Sequence, residues 1–537
     1  MVTNTQHEVV EFLMAPATHG GASVERIDTH SAMVFLAGSR ALKLKRAVRF
    51  DYLDFSTPER RHAACEAEVR LNQRAAPSIY RGVIAITREA DGVLALDGTG
   101  EPVDWVVDMT RFDQDQLLDR LAEREMLDIS LMRPLAASIA RFHADAEPRD
   151  DHGGYVGMAW VIEGNADGFA SEGRGILDPR RCDHLTHLAR REAFRRGRLL
   201  DTRRYAGFVR QCHGDLHLRN SVLLDGWPTL FDAIEFNDEI ACVDVVYDLA
   251  FLLMDLWRRG LRDHANAVLN AYLAETGDFA GLALLPLFLS CRAAIRAKTS
   301  ATSARMQEDP GRRRELEVLA HEYLEMAIDL LRPATAQLIA IGGFSGSGKS
   351  TVARALASSV GSVPGAIVLR SDEERKRMCG VESLTRLGPS GYSDEITRRV
   401  YRTLAEHARL ALTAGHSVII DAVFARPSDR LAVEAIARGV GVPFSGIWLD
   451  APADVLEARV ASRHRDASDA DIAIVRRQLA MNTGAIDWSR VDATRIPESV
   501  VAAIQQSRRV VDHDCGEFPT DCERFPTGAE VLRMAMR

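Results

Sequence analysis

Residues 343–350 read Gly-Phe-Ser-Gly-Ser-Gly-Lys-Ser, a spacing of glycines, lysine and hydroxyl suited to gripping a polyphosphate. Glycines let successive backbone N–H groups turn inward, and a following helix N-terminus adds positive field. Lys349 would neutralise the β- and γ-phosphates, and the Ser350 hydroxyl would hold a magnesium ion. Gly343, Ser345, Gly346, Ser347, Gly348 and Thr351 complete the cradle. The chemistry to expect is phosphoryl transfer from ATP with Mg²⁺. Asp372 ends the next apolar run, at the sheet edge where ligands bind. It either takes the proton of an acceptor hydroxyl or caps a helix. Arg375, three residues on, is placed to hold an anionic group of the acceptor. Asp421 ends the third run and either holds Mg²⁺ through water or caps the turn. Arg459 and Arg463, with Arg465, lie in EARVASRHRDASDAD. They read as a lid over the transferring phosphate or as a solvated charged face.

These segments, GFSGSGKST, RSD..RK, VIIDA and RVASRHRDASDA, resemble the small P-loop kinases that include gluconate kinases and the kinase part of polynucleotide kinases. The resemblance covers roughly residues 337–505.

A second constellation is His213-Gly214-Asp215-Leu216-His217-Leu218-Arg219-Asn220, with Asp232 twelve residues further on. It has the spacing of the protein-kinase catalytic loop H-R-D-L-x-x-x-N, with glycine replacing arginine. Asp215 would face the acceptor hydroxyl as base, while Asn220 and Asp232 hold the metal. HGDLHxxN, and Tyr247-Asp248-Leu249-Ala250 downstream, are similar to the aminoglycoside phosphotransferase and choline kinase group over about 25–300. That resemblance implies a strand lysine on the α- and β-phosphates. Lys43 in Arg40-Ala41-Leu42-Lys43 is the choice, with Lys45 the rival on the same strand face. Its helix partner is Glu66 or Glu68, with Glu66 favoured. No G-x-G-x-x-G precedes the lysine. The loss of the loop arginine argues for a small-molecule kinase over a protein kinase.

The elements that must place these groups are legible as periodicity. Residues 34–38, 41–45, 82–87, 92–96 and 105–109 read as short strands, and 58–74 as a helix with a proline start. Residues 115–145 turn helical, and 221–236 read as two strands around Asp225-Gly226. A charged helix follows at 311–332. Beyond it, 338–344, 366–372, 417–424 and 444–451 are apolar runs separated by helical stretches, which means a parallel sheet covered on both faces. The expected fold is therefore mixed α/β and α+β: a protein-kinase-like bilobal part, then a three-layer P-loop domain. The expected division is 1–110 (N-lobe), 111–332 (helical C-lobe), 333–337 (linker), 338–507 (P-loop domain) and 508–537 (a loosely structured tail).

The chain has 537 residues, 67 Lys plus Arg against 76 Asp plus Glu, and 46% hydrophobic residues. This composition is globular and mildly acidic, which makes a nucleic-acid partner unlikely as a sequence expectation. Eight cysteines without a CxxC pair fit a reducing compartment. Cys515 and Cys522 near His513 lack a second ligand pair for a metal. The start MVTNTQHEVVEFL has no signal-peptide pattern, and the apolar run 279–291 is too short to span a bilayer. A cytoplasmic location is expected. As a whole the sequence resembles bifunctional aminoglycoside phosphotransferase/ATP-binding proteins, which implies two nucleotide-dependent modules acting on a small hydroxyl compound. Two other readings stand beside it: a nucleotide-gated regulatory protein with one idle half, and a polynucleotide or toxin-like kinase in the P-loop half.

Overall fold

The computed structural model describes residues 6–509 apart from 51, 383–384 and 463–467. Arg463, Arg465, Cys515, Cys522, His513 and most of the expected tail lie outside the described residues. The chain forms two compact units. One holds residues up to Gly164 together with Glu192–Asp255, and the other holds Asn165–Arg191 with residues from Leu256 onward.

The first unit is built on an antiparallel sheet of β1 (Val24–Asp28), β2 (Ala32–Ala37), β3 (Arg40–Lys45), β4 (Tyr80–Arg88), β5 (Leu94–Leu96) and β6 (Glu101–Thr110), in the order β1-β2-β3-β6-β4-β5. The β2–β3 hairpin turns at Gly38, whose φ of 55° suits a residue without Cβ. Its register sets Val34 opposite Lys43. Helix α1 (Pro58–Asn72) starts as expected, with Pro58 in its first turn and Thr57 accepting the Arg60 N–H. It is fixed to the sheet by the buried pair Arg61–Asp104, two bonds of 2.8 and 2.9 Å. Cys65, Val69, Ile79, Tyr80, Val107 and Val222 form the core beneath it. Further along, β7 (Ser221–Leu224) and β8 (Trp227–Leu230) pair around Asp225 and Gly226, both at positive φ. That is the turn chemistry a two-residue hairpin needs. This is the expected kinase-like arrangement of antiparallel sheet, α1 and a loop at 213–220 flanked by a hairpin. The polar edge strand β1, with the sequence VERID, has no apolar alternation and was not expected.

Helix α2 (Val245–Arg258) leads into α3 (Arg262–Thr276), α4 (Leu285–Met306) and α5 (Pro310–Leu330). Segment Phe279–Met306 is long and apolar enough to cross a membrane, but 72% of its most apolar window is buried within the protein. It exceeds the expected uncharged run because Arg292, Arg296 and Lys298 continue the same helix. It rests on α5, where Ser290 donates to the Ala327 carbonyl at 2.7 Å.

The second unit also holds a five-stranded parallel sheet: β9 (Leu338–Gly342), β10 (Ile367–Arg370), β11 (Val418–Asp421), β12 (Phe444–Asp450) and β13 (Ser489–Asp492), ordered β10-β11-β9-β12-β13. Four of these are the expected apolar runs. β13 is polar, and sequence alternation gives no sign of it. Ile339, Ile341, Leu356, Ile419, Ile447 and Val500 fill the core between the sheet and α6 (Lys349–Ala357). The outer edge of β10 is covered by α3. Asn270 accepts the Val368 N–H at 2.7 Å and donates to the Ala366 carbonyl at 3.3 Å, and buried Asn266 donates to the same carbonyl at 3.0 Å. Two amide side chains thus satisfy backbone groups that a neighbouring strand would otherwise pair. Residues 333–337, read as a linker, lie inside this unit, and the Gln337 carbonyl accepts the Val418 N–H at 2.9 Å.

Candidate functional site

The structure gathers the candidate residues into two clusters. In the first, Lys43 on β3 donates to Glu68 Oε1 at 2.7 Å and to Asp232 Oδ1 at 2.5 Å. Burial opposes the lysine's charge, but Asp232 and Glu68 outweigh it and hold the ammonium well above the ordinary lysine range. Asp232 is pulled the other way: burial raises it, and Lys43 more than compensates, leaving it below the usual aspartate. The Asp232 side chain keeps 44% of its surface open and that of Asp215 37%, against 12% for Lys43, so the carboxylates face accessible space. Asp232 sits at φ 61°, and its N–H donates to the Tyr80 hydroxyl at 3.0 Å.

The loop from His213 to Asn220 is held from beneath. Asn220 donates its amide to the Asp215 carbonyl and carboxylate, both at 3.0 Å. Asp248 on α2 accepts the His213 N–H at 3.1 Å and the Gly214 N–H at 2.8 Å, and it meets His143 Nε2 at 3.1 Å. Asp255, two turns further along α2's face, accepts the Leu218 N–H at 3.2 Å. The hairpin is tied back through Phe231 N–H to the Asn220 carbonyl and Ile234 N–H to the His213 carbonyl. His143, Cys212 and Asp248 offer three buried donor atoms within 4.8 Å. Burial pushes the Cys212 thiol well up, and that thiol donates to the Val243 carbonyl at 3.4 Å. A protonated thiol and a carboxylate already bonded to backbone make this a support for the loop.

The favoured partner of Lys43 is corrected here. Glu66 has 59% of its side chain exposed and pairs with His62 at 3.3 Å, while Glu68 is fully buried and takes the lysine. The reason is helix phase: Glu68 lies on the inward stripe with Ala64 and Asn72, four residues either way, and Glu66 does not. Lys43 and Lys45 are not alternatives, because Lys45 also bonds Glu68 and reaches Glu235. Sequence reasoning gave no role to Glu235, Tyr80 or Asn72, whose Oδ1 accepts the Ala233 N–H at 2.8 Å. Asp215, Asn220 and Asp232 supply hard oxygen donors suited to Mg²⁺, and the open Asp232 carboxylate fits that group.

In the second cluster, Gly343, Gly346 and Gly348 have φ of 141°, 88° and 87°. A Cβ at Gly343 would meet the Leu449 carbonyl oxygen at 2.6 Å, and one at Gly346 the Leu456 carbonyl oxygen at 2.6 Å. The cradle therefore requires glycine at both. Ser347 is buried and its hydroxyl has no partner, the kind of orphan that a phosphate oxygen would satisfy. Lys349 reaches back to the Phe344 carbonyl at 3.0 Å, and the Ser345 N–H is taken by Gln478 at 2.8 Å. Ser350 donates to Asp421 Oδ2 at 2.6 Å, bringing two of the expected metal-site residues together from the start of α6 and the end of β11. Arg370, unforeseen, bonds both Asp421 (3.2 Å) and Ser350 (2.9 Å).

Asp372 opens helix α7 (Ser371–Met378) beside this group. Burial, and then Asp421's charge, raise its carboxyl above the ordinary aspartate range. Arg375 is buried, lies 4.8 Å over the Tyr392 ring and donates to the Gly391 carbonyl (2.9 Å) and Thr397 (3.2 Å), with its Nε unpartnered. Asp469 gathers Lys376, Tyr392 and the Leu387 N–H, each at 2.9 Å. Thr351 is exposed on α6. Arg459 is turned to the Ala493 carbonyl at 2.8 Å, an engagement beyond the end of β13 and not with the phosphate loop.

Residues 338–483 match a family described as an AAA domain. The adenylyl-sulfate kinase of Myxococcus xanthus is 36% identical over 118 residues, covering 22% of this chain and 59% of that protein. Among solved structures, the Plasmodium vivax ethanolamine kinase is similar at 11% identity and a TM-score of 0.38, covering 59% of this chain and 86% of its own. The uncharacterized protein Rv2004c of Mycobacterium tuberculosis is 32% identical over 481 residues, covering 85% of this chain and 90% of that protein. On that similarity the chain belongs to the Rv2004c family.

Proposed function

We propose that this protein is an ATP- and Mg²⁺-dependent phosphotransferase acting on a small hydroxyl-bearing molecule, with two nucleotide-binding kinase modules in one chain. The observation that carries the reading is the first cluster: one lysine joined to a helix carboxylate and to Asp232, with Asn220 bonded to Asp215. Four segments distant in sequence converge on the parts that phosphoryl transfer requires. Lys43, oriented by Glu68, grips the nucleotide phosphates, and Asn220 and Asp232 hold the metal. Asp215 takes the acceptor's hydroxyl proton as the oxygen attacks the γ-phosphorus and the bond to ADP breaks.

In the second module the backbone from Gly343 to Ser350 cradles the phosphates and Lys349 neutralises them. Ser350 and Asp421 serve the metal, and Asp372 is the base. Arg375 is a buried cation that bonds only the Gly391 carbonyl and Thr397 among the described residues, with its Nε unpartnered, which favours an anionic acceptor. A lid role for Arg459 requires it to leave the Ala493 carbonyl that it bonds here. The Myxococcus relative's name supports a phosphate-accepting small molecule for this half.

The test is ADP release over sugars, amino alcohols, aminoglycosides and 5′-hydroxyl oligonucleotides, comparing wild type with Asp215→Ala and Lys349→Ala. Each substitution should abolish turnover of one acceptor class and spare the other. Indifference of every activity to Asp215→Ala would reduce the first half to a binding module.

A further inference from the structure

Lys45 and Glu235 are buried alongside the first cluster and are not needed to hold nucleotide or metal directly. Lys45 is 3% exposed, and its ammonium bonds both Glu68 Oε2 and Glu235 Oε1. It also lies 5.2 Å over the Phe55 ring. Glu68 is thereby shared, one carboxylate oxygen to Lys43 and the other to Lys45. Lys43 and Lys45, two residues apart on β3, share one face of the strand. The two lysines and three carboxylates form a chain from the open side, at Asp232, to the closed side, at Glu235. Glu235 stands three residues after Asp232, so Lys45 fastens the Asp232 segment to β3 and to α1 at once.

The arrangement has a consequence for nucleotide binding. Asp232 is bonded to Lys43 here. For Lys43 to turn toward phosphate it must leave Asp232 Oδ1, and the Asp232 carboxylate then meets the metal with both oxygens free. During this exchange Lys43 ceases to fasten α1 to the Asp232 segment. The second, enclosed lysine still does.

Resting on the phosphotransfer reading of this cluster, we propose that Lys45 and Glu235 are positioning residues. Their ion pair locks the Asp232 segment against β3 and α1, keeping Glu68 and Asp232 in place with or without nucleotide. The module is thus permanently assembled and needs no activating event to bring its helix carboxylate inward.

The test uses the full chain carrying Lys349→Ala, which silences the phosphate loop. Affinity for the ATP analogue AMP-PNP is read by calorimetry across a magnesium titration. Lys45→Met and Glu235→Gln should each weaken magnesium-dependent binding about 10- to 100-fold, the range for groups one step removed from a metal ligand. The double variant Lys45→Met/Glu235→Leu removes both buried charges together. It should regain the parent's melting temperature but not its magnesium affinity. Parental magnesium affinity in the double variant would make the pair merely structural and overturn the proposal, as would unchanged binding in both single variants. A double variant that does not regain the melting temperature also counts against it, because the pair is then needed for folding itself. Lys43→Met separates the two levels. If it leaves AMP-PNP binding intact, the nucleotide reading of this cluster fails and the positioning role falls with it.

Discussion

On the proposed reading, the two clusters grip a nucleotide by opposite means. The phosphate loop is one continuous octapeptide whose backbone is the binding surface, so its requirements are local: left-handed φ at Gly343, Gly346 and Gly348, and a carbonyl wall that excludes Cβ. The first cluster is made of side chains alone, drawn from β3, α1, the loop 213–220 and the segment after β8. Its requirements are long-range, and buried ion pairs fix its geometry. Backbone sites therefore fail by steric intrusion, and side-chain sites fail by loss of charge balance.

The largest effect should separate the two chemically. In the Lys349→Ala background, Asp215→Asn should lower turnover about 10²- to 10⁴-fold, the worth of a general base, with little change in KM for ATP. An unchanged kcat would deny Asp215 its role. Next, Glu68→Gln should destabilise the protein by about 3–5 kcal/mol by leaving buried lysines short of a partner. Glu66→Gln, on the exposed face, should stay within about 0.5 kcal/mol. Chemical denaturation of the two variants checks this, and equal effects would undo the assignment of helix phase.

A smaller effect is expected at the edge of the parallel sheet. Asn270→Ala leaves the Val368 N–H unpaired and should cost about 1–3 kcal/mol, with faster hydrogen exchange at Val368. Protection unchanged at that amide would mean the α3 contact does not cap β10. The most subtle is a pH profile. Burial raises Asp372, so its base form is reached only as pH rises through that elevated value. With Asp215→Ala silencing the first cluster, kcat/KM at the phosphate loop should fall on acidification at a higher pH than an ordinary aspartate would set. Asp372→Asn should flatten that limb.

The contrast also explains what the sequence made legible. The phosphate loop, its strand and its helix are contiguous, and each was readable from local spacing. The Asp215, Asn220 and Asp232 set was readable because a short hairpin fixes their separation. Glu68 stood beside Glu66 as an alternative and was not preferred, because a helix of mixed charge does not announce its inward face. Lys45 looked like a competitor of Lys43 because strand periodicity gives a shared face but not a partner. Arg370, Gln478, Asn266 and Asn270 act through tertiary contacts 20 or more residues away, and nothing in their local sequence marks them. The polar strands β1 and β13 carry no alternation, since each lies at a sheet edge.

The central claim is that one chain holds two independent grips on Mg-ATP. The direct measurement is the binding stoichiometry of Mg-AMP-PNP to the full chain by calorimetry. Two molecules should bind per wild-type chain, one to Lys349→Ala and one to Asp232→Asn. A single molecule per wild-type chain, lost entirely in Lys349→Ala, would contradict it.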